Sequence, residues 1–179
     1  MSRKTLVTVH LYLAAFFTPM VIMMAISGGL YLFGIKGQMN YQTLAHVTAP
    51  DWSDDSAQRT QQVRKLLQAQ QLASDFEYLK IKGDTWYTRP TSREHFRLQQ
   101  HGEQLRVDQA QPNLQAMMIE LHKGHGPGWF KWFEKAFALG LLLVMVSGFI
   151  MGLQSPLLKK QTLVLSASGL IIIVLLALA

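Results

Sequence analysis

Length, composition and charge restrict this chain to a narrow set of protein classes. It has 179 residues, a formal net charge of +6 and no cysteine, which excludes disulfides, thiolate metal sites and iron–sulfur clusters. All eleven acidic residues lie between Lys36 and Lys135, where thirteen basic residues nearly balance them. That window has no basic stripe for a phosphate backbone to follow. Nucleic acid is therefore not an expected partner.

Three stretches of the chain contain no charged residue: Thr5–Ile35, Ala136–Leu158 and Gln161–Ala179. At about 1.5 Å per helical residue, each can cross or nearly cross a hydrocarbon core of about 30 Å. We therefore predict an α-helical membrane protein with three transmembrane helices and a small α+β extracytoplasmic domain between helices 1 and 2. The predicted divisions are 1–35 (helix 1, cytoplasmic N-terminus), 36–128 (the domain), 129–158 (helix 2 and a cytoplasmic loop) and 159–179 (helix 3).

Basic residues at the ends of the spans predict the orientation. Arg3 and Lys4 precede the first span, and Lys159 and Lys160 precede the third, with no acid nearby. The positive-inside rule places all four in the cytoplasm, so the acidic window faces outward and lipid surrounds the spans. The first span could instead be a signal peptide cleaved near Ser27. Its apolar run continues beyond that point, which favours an uncleaved anchor. Whether the short third span crosses fully stays open.

The segment between the first two spans has the patterns of a small mixed domain. Ser53-Asp54-Asp55 is a typical helix start. Alternating apolar residues with turn residues between them predict two hairpins, and an apolar stripe at helical spacing predicts a final helix. The hairpin strands are predicted at 76–82, 85–88, 96–98 and 105–107, and the final helix at 114–121. The predicted order is helix, antiparallel sheet, helix.

Six histidines are the candidates for chemistry, namely His10, His46, His95, His101, His122 and His125. His10 lies within an uncharged span, where an ionisable group is costly and usually has a partner. The alternative is an interfacial histidine bound to a carbonyl or a lipid headgroup. His122 and His125 flank a glycine-rich turn, where they act either as ligands and proton-handling groups or as polar filler. The other three are predicted to be solvated and without a role.

Spacing limits how these histidines could share a metal. His10 is predicted near the inner face and His122 near the outer face, roughly 30 Å or more apart for twenty-odd helical residues. One haem iron cannot take both. At the inner leaflet a second histidine must come from another copy or another subunit, whereas at the outer leaflet His122 could pair with His125 or His46. The sequence contains no nucleotide loop, hydrolase elbow or His-Glu-x-x-His motif, so we assign no catalytic residue and leave enzyme status open.

Small residues in the spans indicate where helices approach each other. Gly148 and Gly152 form a GxxxG pair in the second span, and such small faces let membrane helices pack closely. We interpret them as internal packing of the three spans in preference to dimerisation. The scattered methionines of the spans are likewise interpreted as packing residues and not as copper ligands.

The order of two half-motifs resembles the PepSY-associated transmembrane family of bacteria. The first is a histidine near the start of span one followed by Ser/Thr-Gly near its far end, here His10 and Ser27-Gly28. The second is Leu-His-x-Gly before a span that ends in Ser/Thr-Gly, here Leu121-His122-Lys123-Gly124 and Ser147-Gly148. The resemblance covers about residues 1–153 and implies a PepSY-like fold for the domain.

Larger members of that family look like inner-membrane electron-transfer proteins that carry b-type haem and help to reduce ferric siderophores in the periplasm. The resemblance implies haem b as the cofactor, with His10 and His122 as iron ligands and His125 as a further cofactor-binding residue. It implies the bacterial inner membrane as the location. The expected partners are a second copy or another membrane subunit, and a periplasmic protein or ferric siderophore. The alternative is a non-catalytic module whose PepSY-like domain binds or regulates a partner.

Overall fold

The computed structural model describes residues 2–179, and in that range the chain forms five helices and five strands. In chain order these are α1 (Arg3–Leu32), β1 (Met39–Thr48), α2 (Ser56–Ala69), β2 (Tyr78–Lys82), β3 (Thr85–Arg89), β4 (His95–His101), β5 (Gln104–Pro112), α3 (Leu114–His122), α4 (Gly128–Gln154) and α5 (Lys159–Leu178). Helices α1, α4 and α5 are long and apolar enough to span a membrane. They confirm three candidate spans at the predicted charge-free stretches, with a small sheet between the first two.

The chain divides into two compact units. The first contains the residues up to Val21 together with Lys135–Ala179. In this unit the ring of Phe17 on α1 packs against Phe137 on α4, with centroids 5.6 Å apart. A Cβ on Gly140 would collide with the ring of Phe17, and one on Gly152 would collide with Thr162. Glycine is therefore needed for the close packing, in agreement with the interpretation that small residues serve internal contacts.

The second unit, Ile22–Glu134, contains a five-stranded antiparallel sheet with the strand order β1-β5-β4-β3-β2. Helix α2 begins after the N-cap residue Asp55, whose carboxylate accepts a hydrogen bond from the backbone N–H of Gln58 at 2.8 Å. Val63 and Leu67 on one face of α2 are fully buried. They belong to the same hydrophobic core as fully buried sheet residues, namely Leu98, Leu105 and Val107. The helix, the two hairpins and α3 confirm the predicted elements of the domain.

Strand β1 was absent from the predicted domain order, which began with a helix. It pairs antiparallel with β5, with Met39 opposite Pro112, and its register shifts between Thr43 and Ala45. Because the strand is at the sheet edge, most of its side chains are exposed. The bulge also interrupts the two-residue period on which a strand prediction depends. Both features hide β1 in the sequence.

Three histidines of the domain were predicted to be solvated, and the structure confirms this prediction for two of them. His46 on β1 and His101 at the end of β4 are exposed, as predicted. The prediction for His95 is wrong, because its side chain is only 5% exposed. Its Nδ1 lies 2.9 Å from the Arg93 carbonyl. The adjacent turn supplies the polar partner that lets an imidazole be buried at the start of β4.

Candidate functional site

His10 is held against α4 by a serine and a glycine. Its Nδ1 lies 2.9 Å from the Ser147 hydroxyl, which itself donates to the Val144 carbonyl at 3.0 Å. A Cβ on Gly148 would lie 3.3 Å from the Cε1 of His10. The ring therefore lies close to the α4 backbone. The Ser147 hydroxyl is the polar partner that a histidine in a candidate span requires.

His122 has the same kind of environment in the other unit. Its Nδ1 lies 2.9 Å from the hydroxyl of Ser27 on α1, and that hydroxyl donates to the Met24 carbonyl at 3.3 Å. A Cβ on Gly28 would lie 3.0 Å from the Cε1 of His122. In each of the two Ser-Gly pairs of the half-motifs, the serine is hydrogen-bonded to a histidine and the glycine lies against its ring.

The hydrogen bonds of both serines are satisfied when Nδ1 of each histidine carries the proton. A hydroxyl has one hydrogen to donate, and in both pairs the carbonyl three residues earlier lies within hydrogen-bond distance. With the hydroxyl donating to that carbonyl, the serine oxygen accepts from Nδ1–H, and a neutral imidazole then has its lone pair on Nε2. Within residues 2–179, neither His10 nor His122 has a hydrogen bond at Nε2. Metal-binding histidines in proteins commonly have this arrangement, with a polar partner on the other ring nitrogen.

Each histidine could offer one ring nitrogen to a haem iron, but the described residues around it do not form a complete haem site. Each unit presents one histidine in this geometry, and the described residues contain no group of three or more His, Cys, Asp or Glu side chains that could hold a metal. A cavity of about 300 Å³ adjoins His122, lined by Ser27, Gly28, Tyr31, Ile119, His122 and Lys123. This volume is at the lower end of ligand pockets, which run from about 300 to 1,000 Å³.

His125, predicted as a further cofactor ligand, is bound instead to an acidic residue. Its Nδ1 lies 2.7 Å from Glu120 Oε2, which also accepts a bond from the Thr91 hydroxyl at 2.5 Å. Arg89 Nη1 lies 3.6 Å from the same oxygen, and Lys123 Nζ lies 3.3 Å from Glu120 Oε1. The cluster is an ion-pair network between α3, its C-terminal turn and the end of β3.

Burial and the hydrogen bonds of this network together shift the pKa values of His125 and Glu120. Burial lowers the pKa of His125 below its ordinary value, and the hydrogen bond to Glu120 opposes that shift without cancelling it. Burial acts to raise the pKa of Glu120, but the hydrogen bonds from Thr91 and His125 outweigh it and hold the pKa below its usual range. At neutral pH the pair is therefore a carboxylate and a neutral imidazole whose Nδ1–H is donated to it.

A family model for PepSY_TM-like proteins matches residues 3–179 of the chain. The chain belongs to the PepSY_TM-like family. This confirms the resemblance seen in the two histidine half-motifs and identifies a PepSY-associated membrane protein with several candidate spans. Comparison with curated proteins and with solved structures finds no match.

Sequence reasoning on this PepSY_TM-like chain found the histidines but missed the residues around His125. Arg89, Thr91 and Glu120 carried no local signal, because they are distant in sequence and meet only through side-chain contacts between the end of β3, the turn after it and α3. Gly124, with a φ of +73°, makes the turn that returns His125 to Glu120. A glycine directly after a predicted helix was the one available indication of such a turn. His46, the other predicted companion of His122, lies exposed on β1 opposite Arg106.

Proposed function

We propose that this PepSY_TM-like protein binds b-type haem through His10 and His122 and takes part in electron transfer across the cytoplasmic membrane, toward ferric iron or a ferric siderophore outside. The observation that carries the proposal is the repeated histidine–serine–glycine geometry. In both units Nδ1 lies 2.9 Å from a serine hydroxyl, and with the proton on Nδ1 the lone pair of Nε2 is free for a metal. When bound, haem supplies a reversible one-electron couple at iron.

The side chains of this protein have three roles in that proposal. Ser27 and Ser147 hold the tautomer and the ring orientation that present Nε2 to a metal. The adjacent glycines keep space for each ring against the helix. Lys36 and Lys123 lie 5.2 Å and 5.4 Å from the centroid of the Tyr31 ring, so two ammonium groups lie near the His122 cavity. Such groups suit the carboxylates of a haem edge.

Each unit would contribute one histidine to a haem iron, so a second protein ligand at either iron would come from another subunit. A second copy of the protein satisfies this requirement, as does another membrane subunit with its own histidine. The two histidines belong to separate units with separate serine partners. The proposal therefore places one iron at each histidine and does not share one iron between them.

The test is the optical spectrum of the full-length protein, purified from cells supplied with haem. We expect a Soret band that sharpens and shifts on reduction, with resolved α and β bands. His10→Ala and His122→Ala should each lose part of the haem measured as pyridine haemochrome, and the double variant should be colourless. His46→Ala removes an exposed imidazole and should leave the spectrum unchanged.

A wild-type protein that inserts fully and remains colourless would contradict the haem proposal. That result would favour the alternative, in which the extracytoplasmic domain binds or regulates a partner protein. Loss of colour in His46→Ala as large as in the other two single variants would also count against the assignment of His10 and His122.

A further inference from the structure

A second cavity in the Ile22–Glu134 unit has a volume of about 210 Å³ and shares Lys123 with the cavity beside His122. Six of its lining residues have a charged side chain or an imidazole, namely Lys82, Arg89, His95, Glu120, Lys123 and His125. Tyr41, Tyr87 and Thr91 add hydroxyl groups to the lining. The cavity lies where β2, β3 and the start of β4 meet the end of α3.

The charge of this cavity is predominantly positive. Three cationic side chains face a single carboxylate, that of Glu120. Glu120 pairs with Arg89 and Lys123, whereas Lys82 has no ion pair within residues 2–179. Since one carboxylate cannot neutralise three cations, the cavity retains positive charge even with both histidines neutral.

Arg89 also has an unused hydrogen-bond donor. The residue is only 7% exposed, and its Nη1 donates to the Thr91 hydroxyl at 2.5 Å. Its Nε is buried and has no hydrogen-bond partner in the described part of the chain. A buried donor on a charged group without a partner is unfavourable. The guanidinium lines the cavity and makes one hydrogen bond to a side chain, so it retains further N–H groups that an oxyanion could accept.

We propose that this cavity binds a small oxyanion, a carboxylate or a phosphate, with Arg89 as the principal donor and Lys82 and Lys123 as charge partners. The planar guanidinium suits such groups because its donors match their oxygen spacing. A volume of about 210 Å³ lies below the range of about 300–1,000 Å³ for drug-sized ligands, which excludes a whole siderophore. The proposal goes beyond haem binding and uses neither His10 nor His122.

The site is tested by isothermal titration of the full-length protein in uncharged detergent micelles with inorganic phosphate and, separately, with succinate, at ionic strength held constant by chloride. We expect saturable binding of at least one of them. Arg89→Gln and Lys82→Gln should each weaken it at least tenfold. The matched controls are Arg93→Gln and Lys65→Gln, which remove an equal charge from residues that do not line the cavity.

Lys82 is exposed, so Lys82→Gln keeps the test valid if Arg89→Gln fails to fold, as judged by circular dichroism. No saturable binding of either anion by the wild-type protein would overturn the proposal. Equal weakening in the control variants would also overturn it, because the effect would then be one of net charge. His122→Ala should bind the anion as the wild type does, which separates this proposal from the haem proposal.

The anion could be dissolved, or it could be the phosphate of a lipid headgroup. His125 lies three residues before Gly128, where the candidate span α4 begins, so headgroups are one chemically suitable source. Repeating the titration in phosphatidylcholine nanodiscs distinguishes them. Binding that persists in nanodiscs indicates a soluble anion, and binding seen in micelles but lost in nanodiscs indicates that a headgroup phosphate already occupies the cavity.

Discussion

Two consecutive glycines on α1 provide a direct test of the His122 geometry. A Cβ on Gly28 would lie 3.0 Å from the Cε1 of His122, whereas a Cβ on Gly29 would have nothing within 4 Å. Carbon atoms normally pack at about 3.5–4.0 Å, so Gly28→Ala forces the ring to move by about 0.5 Å. The intrinsic gain of about 0.8–1.0 kcal/mol for alanine over glycine in a helix is common to both positions and cancels in the comparison.

Overpacking of this kind typically costs about 1–3 kcal/mol. Gly28→Ala should therefore be about 1–3 kcal/mol less stable than Gly29→Ala. The measurement is equilibrium unfolding of the full-length protein in mixed micelles titrated with sodium dodecyl sulfate, followed by circular dichroism. The same pair of changes should be made in a His122→Ala background. Without the ring, the two alanine variants should differ by no more than about 0.5 kcal/mol, the scatter expected for independent sites.

Equal stability of Gly28→Ala and Gly29→Ala in the wild-type background would refute the reasoning, because it would mean that the ring of His122 does not lie against α1. A difference that persists in the His122→Ala background would refute it in another way. The cost would then come from some other neighbour of Gly28.

Three further predictions concern the sheet, the acidic cluster and the first histidine. Asp108 is fully buried and accepts hydrogen bonds from two arginines at 2.7 Å, so Asp108→Asn should lower the free energy of unfolding by about 3 kcal/mol, measured by denaturant titration. Because burial lowers the pKa of His125 and hydrogen bonds lower that of Glu120, the folded state binds fewer protons than the unfolded state. Lowering the pH should therefore lower the stability, first below about 6.5, where the unfolded state protonates His125 more readily, and then below about 4.5, where it protonates Glu120 more readily. Glu120→Gln should make the second decline in Tm smaller. Asp108 should retain part of it, because hydrogen bonds from Arg97 and Arg106 lower its pKa despite its burial. Ser147→Ala removes the acceptor for Nδ1 of His10 and should weaken haem retention about 10–100-fold, measured by haem transfer to an acceptor protein.

The spans and most of the domain could be predicted from the sequence because their signals are local. Charge segregation marks α1, α4 and α5, since a charged side chain within a span is costly whatever it packs against. The hairpins follow from alternation and from glycine turns such as Gly102, with a φ of +60°. Strand β1 could not be predicted in this way, because an edge strand with a bulge buries few side chains and breaks its own period.

The partners of the candidate ligands could not be derived from local pattern. Ser147 and His10 are separated by 137 positions, and Ser27 and His122 by 95. No periodicity connects residues so far apart, and the family resemblance supplied the motifs without their pairing. His95 was misjudged for the same reason, because its burial depends on how β4 packs and not on its neighbours in sequence.

The two histidine–serine pairs are reciprocal, and this reciprocity explains why each motif contains both residue types. His10 on α1 is hydrogen-bonded to Ser147 on α4. Ser27 on α1 is hydrogen-bonded to His122, which precedes α4 in the chain. In each pair the serine hydroxyl lies within hydrogen-bond distance of a backbone carbonyl of its own helix. When it donates to that carbonyl, its oxygen accepts the Nδ1 proton of the histidine. Within residues 2–179, both imidazoles then have Nε2 as their one uncommitted polar atom. The haem proposal assigns the metal to this nitrogen in each pair, so it requires the serine as much as the histidine.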